Sequence, residues 1–320
     1  MTRNRAVFPE PASMSMSTSA PAKTTWTILE VLKWTTQRFV DRGLASPRLD
    51  AELLAGHAFS LPRIALYTEF DRPLAPPELD RFRELVKRRQ AGEPVAYLTG
   101  RKEFWKLDLA VDARVLIPRP DTETLIEATL ELLGPKPPPD ETQTLPPARR
   151  LLDVGTGSGA IALTLKHERP ELEVFASDVS SEALAVAGTN AERLGLAVHF
   201  VQGHLLGPFE DTAPFDVIVA NLPYVPRKDL AALSPEVRSE PVLALDGGPD
   251  GLDLVGELIA AAPARLVASG ALLLEIGQGQ AAAVVERCRA AGFAAVTTHR
   301  DLGGIERVVL ARRAVPEGPA

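Results

Sequence analysis

A glycine-rich segment carries the first candidate chemistry, because it directly follows a predicted strand and opens a predicted helix: Asp153-Val154-Gly155-Thr156-Gly157-Ser158-Gly159. Glycines let a ligand approach the backbone closely, and the first turn of a helix presents unpaired N–H groups. Dinucleotide-binding enzymes use the spacing G-x-G-x-x-G to seat a pyrophosphate, whereas this segment has the spacing G-x-G-x-G. We call its glycine-containing part the glycine loop (Gly155 to Gly159) and expect its ligand to lack a pyrophosphate.

An acidic residue ends the next predicted strand. Asp178 lies 19 residues after Gly159, and an acid at about this distance can accept hydrogen bonds from the hydroxyls of a ribose. S-adenosylmethionine has a ribose and no phosphate, so the glycine loop and Asp178 together predict a site for this cofactor. The alternative is a structural glycine-rich turn followed by an ordinary capping aspartate.

A tetrapeptide ends the fourth predicted strand of the same region: Asn221-Leu222-Pro223-Tyr224. The carboxyl ends of parallel strands border a common crevice, so we expect the tetrapeptide and the glycine loop to face one pocket. A planar amide or exocyclic amine has two N–H donors, which the Asn221 side-chain oxygen and a nearby backbone carbonyl can accept. These bonds would aim the nitrogen at the sulfonium methyl and stabilise the positive charge that develops.

The other residues of the tetrapeptide fit this role. Pro223 keeps Leu222 in an extended conformation, and the ring of Tyr224 can stack on a planar group. On its own such a tetrapeptide is more often a turn, and its place behind the glycine loop and Asp178 favours the catalytic interpretation.

Two further candidates have both a functional and a structural interpretation. Glu275, which ends a later predicted strand, either borders the pocket or simply ends its strand. The stiff segment Pro118-Arg119-Pro120 either lines the pocket or serves as a linker.

The elements that must position these residues follow from the hydrophobic pattern. Strands alternate with helices from Leu151 onward, which predicts an α/β fold with a mostly parallel, doubly wound sheet and a final hairpin. The pattern from Trp26 to about Ala91 is helical, and its second helix is predicted to bury four apolar residues: Leu49, Leu53, Leu54 and Ala58.

We expect five segments along the chain. Residues 1–25 form a disordered leader, 26–93 a helical substrate-binding domain, 94–118 a β-hairpin linker, 119–313 the α/β domain and 314–320 a tail. The hairpin is predicted from β-forming residues that alternate around turns at Thr99-Gly100 and Asp112-Ala113.

The composition argues against several classes of protein. Lys and Arg total 35 against 42 Asp and Glu, and the net charge of -7 disfavours broad binding to DNA or to an anionic membrane. The single cysteine, Cys288, is predicted to lie in the core of a protein from a reducing compartment. No metal-ligand spacing is found among the five histidines, and no apolar run approaches the roughly 20 residues of a membrane helix.

The glycine loop and the tetrapeptide Asn221 to Tyr224 resemble those of the Rossmann-like N-methyltransferases that carry an [N/D]-P-P-[Y/F/W] tetrapeptide and act on adenine, cytosine or glutamine amides. Three further stretches narrow the resemblance to the release factor glutamine methyltransferase family, also called HemK: GEPVAYLTGRKEFW (92–105), VLIPRPDTE (115–123) and EPVLALDGGPDGLDL (240–254). The resemblance extends from about Trp26 to Arg312.

This resemblance implies a fold, a reaction and a partner. The fold is a class I methyltransferase domain that depends on S-adenosylmethionine, with a small N-terminal helical domain joined to it by a β-hairpin. The reaction is N5-methylation of the glutamine in the Gly-Gly-Gln tripeptide of class 1 peptide chain release factors. The helical domain helps to bind the release factor, and residues Asn221 to Tyr224 bind the substrate glutamine, with Asn221 also beside the cofactor. We expect a cytoplasmic monomer.

The chain departs from the family pattern at two places. Leu222 replaces the first proline of the tetrapeptide, and we expect function to survive because this position supplies a backbone carbonyl. After the third strand the family commonly has an Asp and a larger residue, whereas this chain has Gly203-His204-Leu205. Leu205 is the candidate for packing on the adenine, and a histidine such as His204 is more often a surface or structural residue.

Other functions compete with this interpretation. A ribosomal-protein glutamine methyltransferase shares the fold and the tetrapeptide, and a nucleic-acid adenine methyltransferase is disfavoured by the acidic balance. The glycine spacing disfavours an NAD-dependent oxidoreductase, and a non-catalytic binding protein would be expected to lose the motifs. Because the resemblance begins after the last methionine, translation is expected to start at Met14 or Met16.

Overall fold

The computed structural model of the chain describes residues 25–135 and 149–314. The predicted leader, apart from its last residue, the expected start at Met14 or Met16, and the tail after residue 314 lie outside the described residues. The chain divides into two compact units, one that ends at Glu84 and one that begins at Leu85. The domain limits at residues 93 and 118 stay predictions.

The first unit is built from helices, as its periodicity predicts. The helices are α1 (Ile28–Asp41), α2 (Pro47–Phe59), α3 (Ala65–Thr68) and α4 (Pro76–Gln90), of which α4 continues past Glu84. The apolar face predicted for α2 is half wrong, because Leu49 and Leu53 are each 41% exposed while the other two residues are buried. Glu52 lies inside instead, where Arg63 Nε donates to its carboxylate at 2.7 Å.

The hairpin of the second unit is shorter than predicted. Strands β1 (Arg101–Phe104) and β2 (Leu107–Ala110) pair in antiparallel fashion, whereas Val95–Thr99 form helix α5 where a strand was expected. Gly100 ends α5 at a φ of +70°, which glycine adopts without strain. The predicted turns therefore flank the hairpin rather than form it.

A single sheet organises the rest of the second unit. Its strands are β3 (Arg150–Val154), β4 (Glu173–Asp178), β5 (His199–Gln202), β6 (Phe215–Ala220), β7 (Leu266–Glu275), β8 (Ala295–Arg300) and β9 (Glu306–Arg312). They lie in the order β5-β4-β3-β6-β7-β9-β8, with β3 to β7 parallel and β9 antiparallel to both of its neighbours. The predicted α/β fold, with its doubly wound sheet and final hairpin, is confirmed.

Helices cover both faces of the sheet. They are α6 (Glu123–Leu133), α7 (Ala160–Glu168), α8 (Ser181–Leu194), the short α9 (Pro235–Arg238), α10 (Asp253–Ala261) and α11 (Ala281–Ala290). Alternate residues of β3 enter opposite cores: Leu152 joins α10 and α11, and Leu151 joins α6 and α7. Cys288 of α11 is fully buried, as predicted. No helix in the described ranges is long and apolar enough to cross a membrane.

A buried asparagine connects the hairpin to the glycine loop. Asn190 of α8 accepts a hydrogen bond from the backbone N–H of Ala110 at 2.7 Å and donates to the carbonyl of Ala110 at 3.0 Å. Its side-chain nitrogen also donates to the carbonyl of Ser158 at 2.9 Å. These bonds satisfy three backbone groups at once and hold the loop against β2.

Candidate active site

The two sequence motifs meet at the carboxyl edge of the sheet. Val154 of β3 pairs with Ala220 of β6, so the glycine loop and Asn221 leave neighbouring strands at the same level. A cavity of about 380 Å³ lies beyond them. Its lining includes nine of the predicted site residues: Gly155, Thr156, Gly157, Ser158, Asp178, Leu205, Asn221, Leu222 and Pro223.

Two predicted site residues lie behind this lining. Gly159 precedes the first residue of α7 and has a φ of +83°. Tyr224 packs beside Gly277, and Gln280 Nε2 donates to its backbone carbonyl at 2.9 Å. Burial, with a smaller contribution from the charge of Glu275, raises the pKa of Tyr224 to about 12. Its phenol therefore keeps its proton at neutral pH.

The glycine loop packs directly against the tetrapeptide. Gly155 has a φ of +75°, and a Cβ at this position would come within 2.9 Å of Leu222 Cδ2. A side chain at residue 155 would therefore need both a strained backbone and a shift of Leu222. The buried Leu222 side chain occupies the space next to this glycine.

Asp178 holds the loop as well as facing the cavity. One of its carboxylate oxygens accepts from the N–H of Gly157 at 2.9 Å, and the other accepts from the N–H of Ser180 at 2.9 Å. A carboxylate offers about four acceptor positions, so these two bonds leave positions for the hydroxyls of a ligand.

Asp153 supports the loop from beneath. One buried carboxyl oxygen accepts from Thr156 Oγ1 at 2.6 Å and from the N–H of Ala162 at 3.1 Å. The other oxygen has no hydrogen-bond partner among the described residues. Burial raises the pKa of Asp153 to about 7, against the opposing effect of its hydrogen bonds. The sequence places Asp153 in the motif, but it does not indicate that the carboxyl group is buried.

Asn221 is held by a residue from a distant part of the chain. Its side-chain nitrogen donates to the hydroxyl of Thr122 at 3.2 Å, and Thr122 also lines the cavity. Glu275 lies next to this pair, is 1% exposed and does not appear in the cavity lining. Burial raises the pKa of Glu275 to about 7. Glu275 therefore does not border the cavity, and it ends β7 as a buried residue.

Segment 118–120 lines the cavity through Pro118 and Arg119. The guanidinium of Arg119 forms an ion pair with the buried carboxylate of Glu240. The backbone N–H of Ile117 donates to the same carboxylate at 3.0 Å. Glu240 thus connects this segment to residues 241–244, which also line the cavity. Burial raises the pKa of Glu240, and Arg119 opposes that shift.

The segment after β5 places Leu205 and His204 differently. Leu205 is buried, lines the cavity and has a φ of +44°. His204 also lines the cavity, but its Nε2 lies 2.8 Å from the carboxylate of Glu257, and both side chains are more than half exposed. Leu205 is therefore placed where an apolar ligand group could pack, whereas His204 is a surface residue with an acidic partner.

Two family models match the chain. A model described as the PrmC N-terminal domain matches residues 30–100, and one described as the methyltransferase small domain matches residues 141–235.

Similar proteins cover nearly the whole chain. The release factor glutamine methyltransferase of Geobacter sulfurreducens is 43% identical over 285 residues, which are 89% of this chain and 96% of the relative. Its counterpart in Moorella thermoacetica is 44% identical over 90% of this chain and 99% of its own, and that of Deinococcus radiodurans is 43% identical over 89% and 98%.

Among solved structures, the hMettl16 catalytic domain in complex with the MAT2A 3'UTR hairpin 1 has a TM-score of 0.54. The match is 18% identical and covers 78% of this chain and 88% of that chain. At this identity the likeness shows the fold alone.

Asp153→Asn is expected to change how stability depends on pH. The folded protein keeps the Asp153 proton up to about pH 7, whereas the unfolded chain releases it near the ordinary value of 3.8. The stability that comes from the protonated carboxyl is therefore fully present below pH 3.8 and is lost as the pH rises to about 7. Chemical unfolding across this range should show a flatter profile for Asp153→Asn than for wild type.

The exposed Asp229 provides a matched control. Asp229→Asn should reproduce the wild-type profile. Parallel profiles for wild type and Asp153→Asn would show that Asp153 does not titrate in this window.

Proposed function

The chain belongs to the release factor glutamine methyltransferase family, and we propose that it transfers a methyl group from S-adenosylmethionine to the glutamine of a class 1 peptide chain release factor. The acceptor atom is N5 of the glutamine in the Gly-Gly-Gln tripeptide. One observation carries this proposal: Asn221 lies beside the glycine loop with its side-chain nitrogen already bonded to Thr122. Its oxygen is then the atom left to accept from a substrate amide.

The chemistry of the cavity lining supports S-adenosylmethionine as the cofactor. The glycine loop supplies backbone close to the ligand, Asp178 suits the ribose hydroxyls, and Leu205 offers an apolar surface for the adenine. The two arginines of the lining are each paired with an acid: Arg114 with Asp112, and Arg119 with Glu240. Their charges are thus already balanced, as expected for a ligand without phosphate.

When bound, S-adenosylmethionine supplies an electrophilic methyl group on a sulfonium. The chain's contribution is to position a weak nucleophile, because the lone pair of an amide nitrogen is delocalised. The Asn221 oxygen and the carbonyl of Leu222 accept the two amide hydrogens and direct the nitrogen at the methyl group. The same oxygens stabilise the positive charge that develops on the nitrogen. The methylated amide then loses its proton to solvent.

The relatives favour a release factor as the substrate over the alternatives. Four proteins named release factor glutamine methyltransferase each match 85% or more of this chain at 42 to 44% identity. They support this substrate over a ribosomal protein or a nucleic-acid adenine. The likeness to an RNA-bound catalytic domain concerns the fold alone.

The remaining features of the proposal concern the partner and the setting. The helical region at residues 26–93 would help to bind the release factor, with 94–118 as linker and 119–313 as catalytic domain. The match of the PrmC N-terminal domain model to residues 30–100 supports this division. An enzyme that acts on release factors would work in the cytoplasm, where translation takes place, and we propose that it does so as a monomer.

Labelled S-adenosylmethionine and purified release factors test the proposed function. We expect the label on the wild-type release factor and none on a variant in which the tripeptide glutamine is replaced, because the enzyme positions that amide specifically. No label on the wild-type factor, or equal label on both factors, would contradict the assignment.

Two substitutions should separate chemistry from cofactor binding. Asn221→Ala removes the acceptor for the glutamine amide and should lower kcat by about a hundredfold or more, while cofactor binding weakens only slightly. Asp178→Ala should instead weaken cofactor binding, measured by calorimetry, by about tenfold or more, because it removes both the ribose acceptor and the bond to Gly157.

Glu173→Ala is the matched control for Asp178→Ala, because it removes a carboxylate at the opposite end of β4. It should leave cofactor binding unchanged. Near-normal turnover by Asn221→Ala would show that Asn221 does not bind the substrate amide.

A further inference from the structure

We propose that Thr122 and Glu275 are positioning residues that fix the Asn221 amide with its oxygen toward the glutamine; this role rests on the proposed function. An asparagine side chain can turn over and exchange its oxygen and nitrogen. Only one orientation is productive, because the substrate amide presents two donors and needs acceptors. Something in the protein must therefore select that orientation.

Thr122 makes the contact that distinguishes the two orientations. Its hydroxyl accepts from Asn221 Nδ2 at 3.2 Å, although a hydroxyl can also act as a donor. If it donated its proton to Asn221, the amide would turn and present its NH2 group to the substrate. Thr122 does not use its side chain to cap α6, so its hydroxyl oxygen is not engaged by the helix and remains available to Asn221. The direction of the hydroxyl proton decides the orientation of Asn221.

Glu275 is the acceptor that can draw this proton away. It follows Leu274, which pairs with Ala220, and so it ends β7 beside Asn221. Both of its carboxyl oxygens are buried, and neither has a hydrogen-bond partner among the described residues. Thr122 and Asn221 act to lower its pKa, against the larger effect of burial. A buried carboxyl without strong partners attracts a nearby hydroxyl proton.

A structural ion pair does not account for the buried carboxyl of Glu275. Arg307 is the nearby cation that acts on it, but this guanidinium already binds elsewhere. It pairs with Asp301 at 3.0 Å and with Asp121 at 3.3 Å, and it donates to the carbonyl of Ile276 at 3.2 Å. The oxygens of Glu275 are therefore left to act on the polar pair next to the cavity.

The chain of contacts then runs from Glu275 to the substrate. In this role the Thr122 hydroxyl turns its proton toward Glu275, which leaves Thr122 able only to accept from Asn221. Asn221 must turn its nitrogen to Thr122, and its oxygen then faces the cavity. Neither Thr122 nor Glu275 touches the reacting atoms, and both act through Asn221.

Thr122→Val and Glu275→Met test this role in the methylation of purified release factor. Each substitution keeps the approximate size of the side chain and removes its hydrogen-bonding group. We expect kcat to fall about tenfold to a hundredfold in each variant, because a turned amide misplaces the glutamine nitrogen. The KM for release factor and the Kd for S-adenosylmethionine should stay within about threefold of wild type, because ground-state binding involves many other contacts.

The double variant provides the second readout. Because both residues act through one amide, the kcat of the double variant should be close to that of the less active single variant. If the two residues acted independently, the two reductions in kcat would multiply instead. Thr122→Ser keeps the hydroxyl and should restore kcat close to wild type. Thr129→Val removes a buried hydroxyl from α6, the helix that follows Thr122. Among the described residues this hydroxyl donates to the carbonyl of Leu125, and its removal should leave kcat unchanged.

Each result decides the proposal. Wild-type kcat in both single variants, reductions that multiply in the double variant, or no recovery in Thr122→Ser would overturn it. If thermal unfolding shows that Glu275→Met does not fold, the comparison of Thr122→Val with Thr122→Ser decides. No methylation by the wild-type protein would instead overturn the proposed function, and this role with it.

Discussion

The parallel register between β3 and β6 is the constraint on which the site depends. Because Val154 pairs with Ala220, the glycine loop and Asn221 emerge together at one edge of the sheet. A slip of one residue would turn Asn221 to the opposite face and separate the two motifs. The contact between Gly155 and Leu222 shows how closely the motifs fit, since no side chain could be added at residue 155 without a shift.

Two buried carboxyl groups, those of Asp153 and Glu275, lie near this edge of the sheet. Asp153 accepts hydrogen bonds that hold the glycine loop and the start of α7. Glu275 lies beside Thr122 and Asn221 at the end of β7. Burial raises the pKa of each group to about 7, so both are costly to ionise. The first carboxyl shapes the proposed cofactor loop, and the second orients the amide that is proposed to bind the substrate.

Local pattern predicts the elements and the strand ends well. Alternating strands and helices indicate the sheet, and the motifs at strand ends indicate a common pocket. Asp178 and Asn221 do line one cavity. Contacts between distant segments leave no such pattern. Thr122 meets Asn221 across 99 positions, and Ile117 meets Glu240 across 123, so neither partner could be recognised from spacing.

Local rules also fail where tertiary packing decides. Helical periodicity places Leu49 and Leu53 inside, yet Glu52 is buried because Arg63 pairs with it. The β-forming residues of 95–99 fold as a helix that Gly100 ends. Asn190 is an ordinary helix residue in the sequence, and its bonds to Ala110 and Ser158 appear only once the chain is folded.

The orientation of the Asn221 amide is the central claim, and a neutron structure with S-adenosylhomocysteine and a glutamine-containing release factor peptide tests it most directly. Deuterium positions distinguish the amide nitrogen from its oxygen, which X-ray data at ordinary resolution do not. We predict that Nδ2 of Asn221 faces Thr122 and that its oxygen lies about 3 Å from the glutamine nitrogen. An Asn221 oxygen turned to Thr122, or a glutamine nitrogen bound elsewhere, would contradict this orientation and the role of Asn221 that depends on it.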